Sequence, residues 1–166
     1  MLHNKFWLWL MVCLFSICLP MVTISLPAYA AVDPYVTRFL RVTEPIPLKM
    51  DATESTRLFS AEDLSIGKAL FEKSCLNCHV GGNTLPDPTV PLSLTALQGA
   101  TPRRDNINAL VTYLRQPMIY DGTEETLVCR QVSESWFPTP MVENIAGFIL
   151  RAAQSAPDWG TETFQN

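Results

Sequence analysis

The chain has 166 residues, 48% hydrophobic and 17% charged, with 16 acidic against 12 basic side chains and a formal charge of −4. That acidic balance argues against a nucleic-acid binder and suits docking to a basic protein face.

Lys5 supplies a short basic start, and Phe6 to Leu19 is almost entirely apolar. Pro20 interrupts this run, and Ala28-Tyr29-Ala30 has the small-x-small pattern of a signal-peptidase site. Residues 1–30 are read as a signal peptide. The alternative is an uncleaved anchor, since the apolar stretch through Leu26 approaches the roughly 20 residues of a spanning helix. The mature chain, 31–166, is expected to be one domain with no later spanning segment. Loss of Lys5 takes its formal charge from −4 to −5, and loss of Cys13, Cys18 and His3 leaves Cys75, Cys78, Cys129 and a single histidine, His79.

Residues 31–59 read as an extended arm. Val36, Phe39, Leu40 and Val42 precede Pro45 and Pro47, which argue against helix and predict a short hairpin or two edge strands. Ser60 opens the first helix, with Asp63 three residues on as a capping-box partner and Leu64, Gly67, Leu70 and Phe71 on one face. Gly67 in mid-helix predicts a close helix crossing. Gly81 to Gly99, rich in glycine and proline, reads as a long loop that covers something. Thr101-Pro102 is expected to start a second helix carrying Ile107, Leu110, Val111 and Leu114, stopped by Pro117. Met118 to Pro140 reads as irregular. A last helix, about Met141 to Gln154, aligns Ile145, Phe148, Ile149 and Ala152, with Gly147 suited to another tight crossing.

Cys75-Leu76-Asn77-Cys78-His79 is the C-x-x-C-H attachment pattern of c-type haem. Two thiols add across the porphyrin vinyl groups, and the following histidine reaches the iron from the same loop. Cys75 and Cys78 are therefore the expected covalent anchors of one haem c, and His79 the proximal axial ligand. A thioredoxin-like pair would need a βαβ setting, and a zinc site would want a second Cys/His pair, which the sequence lacks. With one mature histidine, bis-histidine ligation within a single molecule is excluded. Candidates for the sixth position are Cys129, Met141, Met118, Met50 or no protein ligand; a Cys129 thiolate would favour ferric iron, with neighbouring Arg130 helping to stabilise its charge.

Several stretches resemble the cytochrome c-550 family of cyanobacterial photosystem II. They are Ile66-Gly67-Lys68 to Phe71, Cys75 to Gly82, Ala100-Thr101-Pro102-Arg103-Arg104-Asp105-Asn106-Ile107, Ala109-Leu110-Val111, Tyr113-Leu114, Tyr120-Asp121-Gly122, Ile145-Ala146-Gly147 and Trp159-Gly160. The likeness runs from about Ser60 to Gly160 and looks more like the divergent cytochrome c-550-like paralogue than the main subunit. It implies a mainly α, class I-like monohaem cytochrome c fold with a short N-terminal β-hairpin arm, the arm at 31–59 and the haem-binding helical core at 60–160. It also implies a low-potential electron carrier rather than an enzyme, in the thylakoid lumen, soluble or peripheral on the lumenal face of the membrane and associated with photosystem II. The family's second histidine ligand falls shortly after the Tyr-Asp-Gly motif. Here Cys129 stands close to that place, which makes it the favoured sixth ligand, with Met141 as fallback. The family's glycine-rich, tyrosine-terminated tail is replaced by Thr161 to Asn166, which departs from the pattern for stable docking. The competing readings are an extrinsic structural subunit whose haem does not turn over, and a thiolate-haem redox sensor or enzyme. No acid–base constellation supports the latter.

Overall fold

The computed structural model describes residues 31–86 and 89–161, together with Lys5, Trp7 and Trp9. The rest of the signal-peptide reading, and the tail from Glu162 onward, lie outside the described residues. The described chain is mainly helical with one small antiparallel sheet, as expected. No helix among the described residues is long and apolar enough to cross a membrane.

The arm differs from the extended reading at its start, where α1 spans Pro34–Arg38. Pro34 sits in the first helical turn, where a missing N–H costs nothing, and the Asp33 carboxylate caps it by accepting the Tyr35 N–H at 2.7 Å. The hairpin follows as expected: β1 (Ile46–Lys49) pairs with β2 (Thr56–Phe59) in the register Ile46 to Phe59 and Leu48 to Arg57. Its buried side chains are Leu48 and Phe59, while Leu58 faces out. Several side chains pin the arm to the body, Lys68 and Arg151 among them. Lys68 bridges Asp33 and Glu72, each at 2.8 Å, and the Arg151 guanidinium donates to the Leu40 carbonyl at 2.9 and 2.7 Å.

α2 spans Ala61–Ser74 with the expected Ser60–Asp63 capping box in place. Its buried face (Leu64, Gly67, Phe71) packs on α5, Thr139–Ser155, which buries Val142, Ile145, Ala146, Phe148 and Ile149. Each large apolar side chain buried there contributes on the order of 1.5–3 kcal/mol. The crossing is as close as Gly67 suggested, since a Cβ on that residue would lie 1.9 Å from the Asn144 carbonyl oxygen. At Gly147 a Cβ would meet the Phe59 ring at 2.9 Å and Leu64 at 3.3 Å, so the glycine admits the hairpin as well as the helix.

Two further boundaries depart from expectation. Within the proline-rich loop a short helix, α3 (Leu94–Gly99), forms because the Ser93 hydroxyl accepts the Ala96 N–H at 3.3 Å. The next helix, α4 (Ile107–Arg115), starts later than Thr101-Pro102, because the cap is Asn106, whose side chain accepts the Ala109 N–H at 2.9 Å. Thr101-Pro102 is instead a cis peptide in the preceding turn. Pro117 lies just beyond the end of α4, as read. The irregular 118–138 segment is tied by the Met118–Glu125 bridge and by Arg115, which donates to the Val132 and Phe137 carbonyls at 2.8 and 2.9 Å.

Candidate functional site

α2 ends at Ser74, and the chain then continues in tight turns: the Cys75 N–H reaches Phe71 O at 2.7 Å, and Cys78 and His79 N–H both reach Cys75 O, at 3.1 and 3.0 Å. These turns bring Cys75, Cys78 and His79 to one wall of an apolar cleft. Leu97 and Ala100 from α3 and its end, Leu110, Tyr113 and Leu114 from α4, Met118 to Tyr120, Val128 to Arg130, and Ile145 and Ile149 from α5 complete it. Cys129 lies in this cleft with the attachment residues, although it is far from them in sequence. Cys75, Cys78 and Cys129, the cysteines among the described residues, carry free thiols. Met118 also lines the cleft, whereas Met141 and Met50 pack against the hydrophobic core and do not.

His79 is held by its Nδ1. That nitrogen lies 3.2 Å from the Asn83 carbonyl and 3.1 Å from the Thr84 hydroxyl. The Thr84 hydroxyl spends its single proton on the Val90 carbonyl, so at His79 it can only accept. Both neighbours therefore place the ring proton on Nδ1 and leave Nε2 as a lone-pair donor. Burial holds the imidazole below its ordinary pKa, against the opposing pull of the Asn83 carbonyl, and so keeps it neutral at pH 7. Phe71 buttresses the ring at 6.3 Å and continues into Phe148 (5.4 Å) and Trp159 (5.7 Å).

Trp159 also closes the loop behind the motif. Its Nε1–H donates to Leu92 O at 3.0 Å, and the Gly160 N–H donates to Gly81 O at 2.8 Å. Gly82 lies under this indole at φ 81°, where a Cβ would come within 2.6 Å of the ring, so both its backbone and its position require glycine.

Another part of the lining is built around Cys129. Burial pushes the Cys75 thiol up to about 11, with the Cys129 and Cys78 sulfurs adding to the effect. Cys129 is also raised by burial, but the Tyr113 hydroxyl and the Arg104 guanidinium both pull it back toward the thiolate. The cation acting on Cys129 is thus Arg104 and not its neighbour Arg130, whose guanidinium lies over the Trp136 ring at 4.6 Å. Sequence reasoning reached Arg104 and Tyr113 only as parts of matching motifs. A basic residue three positions before the start of α4, a helix with regular apolar spacing, was the available signal.

Two free thiols, a lone-pair imidazole nitrogen and a third thiol around one apolar cleft form a donor set suited to a flat, covalently tethered macrocycle with a metal at its centre. Comparisons with known proteins point the same way. Residues 39–166 match the family model described as the cytochrome c-550 domain. The chain is 57% identical over 136 residues to a cytochrome c-550-like protein of Trichodesmium erythraeum, covering 82% of each chain. It is 51% identical over 134 residues to photosystem II extrinsic protein V of Gloeobacter violaceus, covering 81% of this chain and 72% of that one. Among solved structures, the PsbV2 cytochrome of Thermosynechococcus elongatus superposes with a TM-score of 0.77 at 53% identity, over 78% of this chain and 99% of that one. Cytochrome c549 superposes at 0.61 and 34% identity, over 69% and 95%.

Proposed function

Since the chain belongs to the cytochrome c-550 family, we propose that it is a low-potential monohaem electron carrier of the thylakoid lumen, held covalently to haem c by Cys75 and Cys78 and ligated by His79 and Cys129. In this reading residues 1–30 are its export signal and 31–166 its haem domain. When bound, haem c supplies one iron that takes up and gives up a single electron. The observation that carries the reading is the meeting of Cys129 with Cys75, Cys78 and His79 in one apolar cleft, in a sequence whose other histidine is His3.

Each residue has a part that follows from its surroundings. Cys75 at the end of α2 and Cys78 one turn on present two thiols at the spacing that thioether attachment needs. The Nδ1 contacts of His79 fix its tautomer and aim Nε2 away from Asn83 and Thr84. Phe71, Leu110, Ile145 and Ile149 give the cleft an apolar lining, in which a charge acts more strongly than it does in water. A thiolate from Cys129, as the second protein ligand, would bring negative charge to the iron and favour the ferric state, which supports a potential below that of a His/Met pair. Peripheral association with photosystem II on the lumenal side, and the capacity to stand in for cytochrome c-550 there, rest on the naming of relatives as photosystem II extrinsic protein V and on the acidic chain.

Ferric EPR and visible spectra of the purified protein beside a Cys129→Ser variant test the ligand pair. The expected result is loss of the low-spin thiolate signature in the variant, with the thioether-linked haem still attached. An unchanged low-spin spectrum would sink the thiolate assignment.

A further inference from the structure

We infer that Arg104 and Tyr113 are positioning residues that fix Cys129 in the cleft and set the reduction potential of the site through its sulfur, an inference that rests on Cys129 being the iron ligand. The geometry is a three-part stack. The Arg104 guanidinium lies over the Tyr113 ring, 4.1 Å from its centroid. The Tyr113 hydroxyl and the Cys129 thiol act on each other's proton affinity, Tyr113 pulling Cys129 toward the thiolate and Cys129 raising Tyr113. All three side chains line the same cleft as Cys75, Cys78 and His79.

Arg104 has a second task. Its Nη2 donates to two consecutive carbonyls, Met118 O at 3.0 Å and Ile119 O at 2.7 Å. This fastens the start of the loop that leads to Cys129. The loop is further tied by Thr126 N–H to Pro117 O at 2.9 Å and by Val132 N–H to Leu114 O at 2.8 Å. Cys129 is therefore suspended between two backbone ties. Between them Leu127 is 99% exposed and Val128 51% exposed, so the backbone turns outward just before Cys129 turns in. Tyr113 stands on α4 and lines the cleft together with Cys129.

The chemistry gives the sign. A hydrogen-bond donor and a cation beside a thiolate draw charge from the sulfur and reduce its donation to the metal. Less donation favours the more electron-rich ferrous state. Arg104 and Tyr113 therefore raise the potential above that of the same thiolate without them. Removing either lowers it.

The test uses the purified haem-loaded protein, with one electron per haem supplied by dithionite in a spectroelectrochemical titration and ferric EPR on the same samples. Tyr113→Phe removes a single oxygen from a side chain whose ring still packs, and is expected to shift the ferric/ferrous equilibrium about tenfold toward ferric, which is about 59 mV for one electron. Arg104→Gln is expected to shift it in the same direction, and Arg104→Lys, which keeps the charge, to recover at least half of that shift. Both Tyr113→Phe and Arg104→Gln should also alter the ferric EPR signature, which a purely structural role would leave alone. If Tyr113→Phe and Arg104→Gln both stay within about twofold of the parent while Cys129→Ser abolishes the thiolate spectrum, the positioning role is refuted and the ligand stands. If Cys129→Ser leaves the spectrum intact, both are refuted.

Discussion

Replacing Gly67 by alanine tests whether the α2–α5 crossing carries the fold. The added Cβ would lie 1.9 Å from the Asn144 carbonyl oxygen and 2.5 Å from its carbonyl carbon. These are backbone atoms, so no side-chain rotation can relieve the clash, and the helices must separate by about 1.5 Å to restore ordinary contact. Separation loosens the layer formed by Leu64 and Phe71 against Ile145 and Phe148. Overpacking of this kind costs about 3 kcal/mol at the upper end of its usual range, and the better helix propensity of alanine returns about 1 kcal/mol. The net loss is ~2 kcal/mol, which for a domain of this size lowers the melting temperature by ~8 °C. Thermal melts of the haem-loaded protein by far-UV circular dichroism give the readout. Gly81→Ala is the control, because no atom lies within 4 Å of its new Cβ and only its backbone at φ 59° is strained, by about 1 kcal/mol. A Gly67→Ala variant that melts within ~2 °C of the parent, or above it, would refute the account of the crossing.

Two further outcomes are expected from contacts around the site. Burial pushes the Asp33 carboxyl up, but Lys68 and the Tyr35 N–H outweigh it and hold it below its ordinary value of 3.8. Its contribution is therefore present above that value and lost as pH falls through the lower folded value. Lys68→Met should cost about 0.5–1 kcal/mol near neutral pH, and the cost should shrink as pH falls below the ordinary carboxylate range; a difference in urea midpoint that stays constant as pH is lowered would contradict this. Trp159→Phe keeps a ring against Phe71 and Phe148 but deletes the bond to Leu92 O, so amide exchange at Leu92 and Gly160 should rise about fivefold, and unchanged exchange there would show that the indole does not latch the loop.

What was legible in the sequence was local. The Ser60–Asp63 capping box and the Cys75–His79 turn need only residues a few positions apart, and both are in place. The stripe of Ile145, Phe148, Ile149 and Ala152 needs only a 3.6-residue period, and all four are buried. The errors came where a single side chain decides a boundary. Asp33 caps α1 in a segment read as extended, Ser93 starts a helix inside a loop, and Asn106 moves the start of α4 past Pro102. The assignment of Arg130 to Cys129 failed because adjacency in sequence says nothing of where a long side chain lies in a loop. Arg104 was hidden for the opposite reason: its partners are carbonyls 14 and 15 residues away and the face of a ring on another element.

The two walls of the cleft are built by different means, and this bears on how such a site changes its chemistry. The His79 wall follows directly from a helix and its closing turns, with Phe71, Phe148 and Trp159 packed behind it, so its geometry is inseparable from the core. The Cys129 wall is a loop whose place is set by a few discrete bonds from Arg104, Arg115 and Tyr120, the last donating to Ala96 O at 2.9 Å. A change of residue on the first wall would have to be accommodated by the α2–α5 packing. On the second wall the ties at Pro117, Leu114 and Met118 engage backbone groups and are indifferent to the side chain at position 129. The distal donor can therefore differ while the scaffold stays the same. In the proposed site, the stack of Arg104 on Tyr113 is the surrounding that would favour a thiolate at position 129.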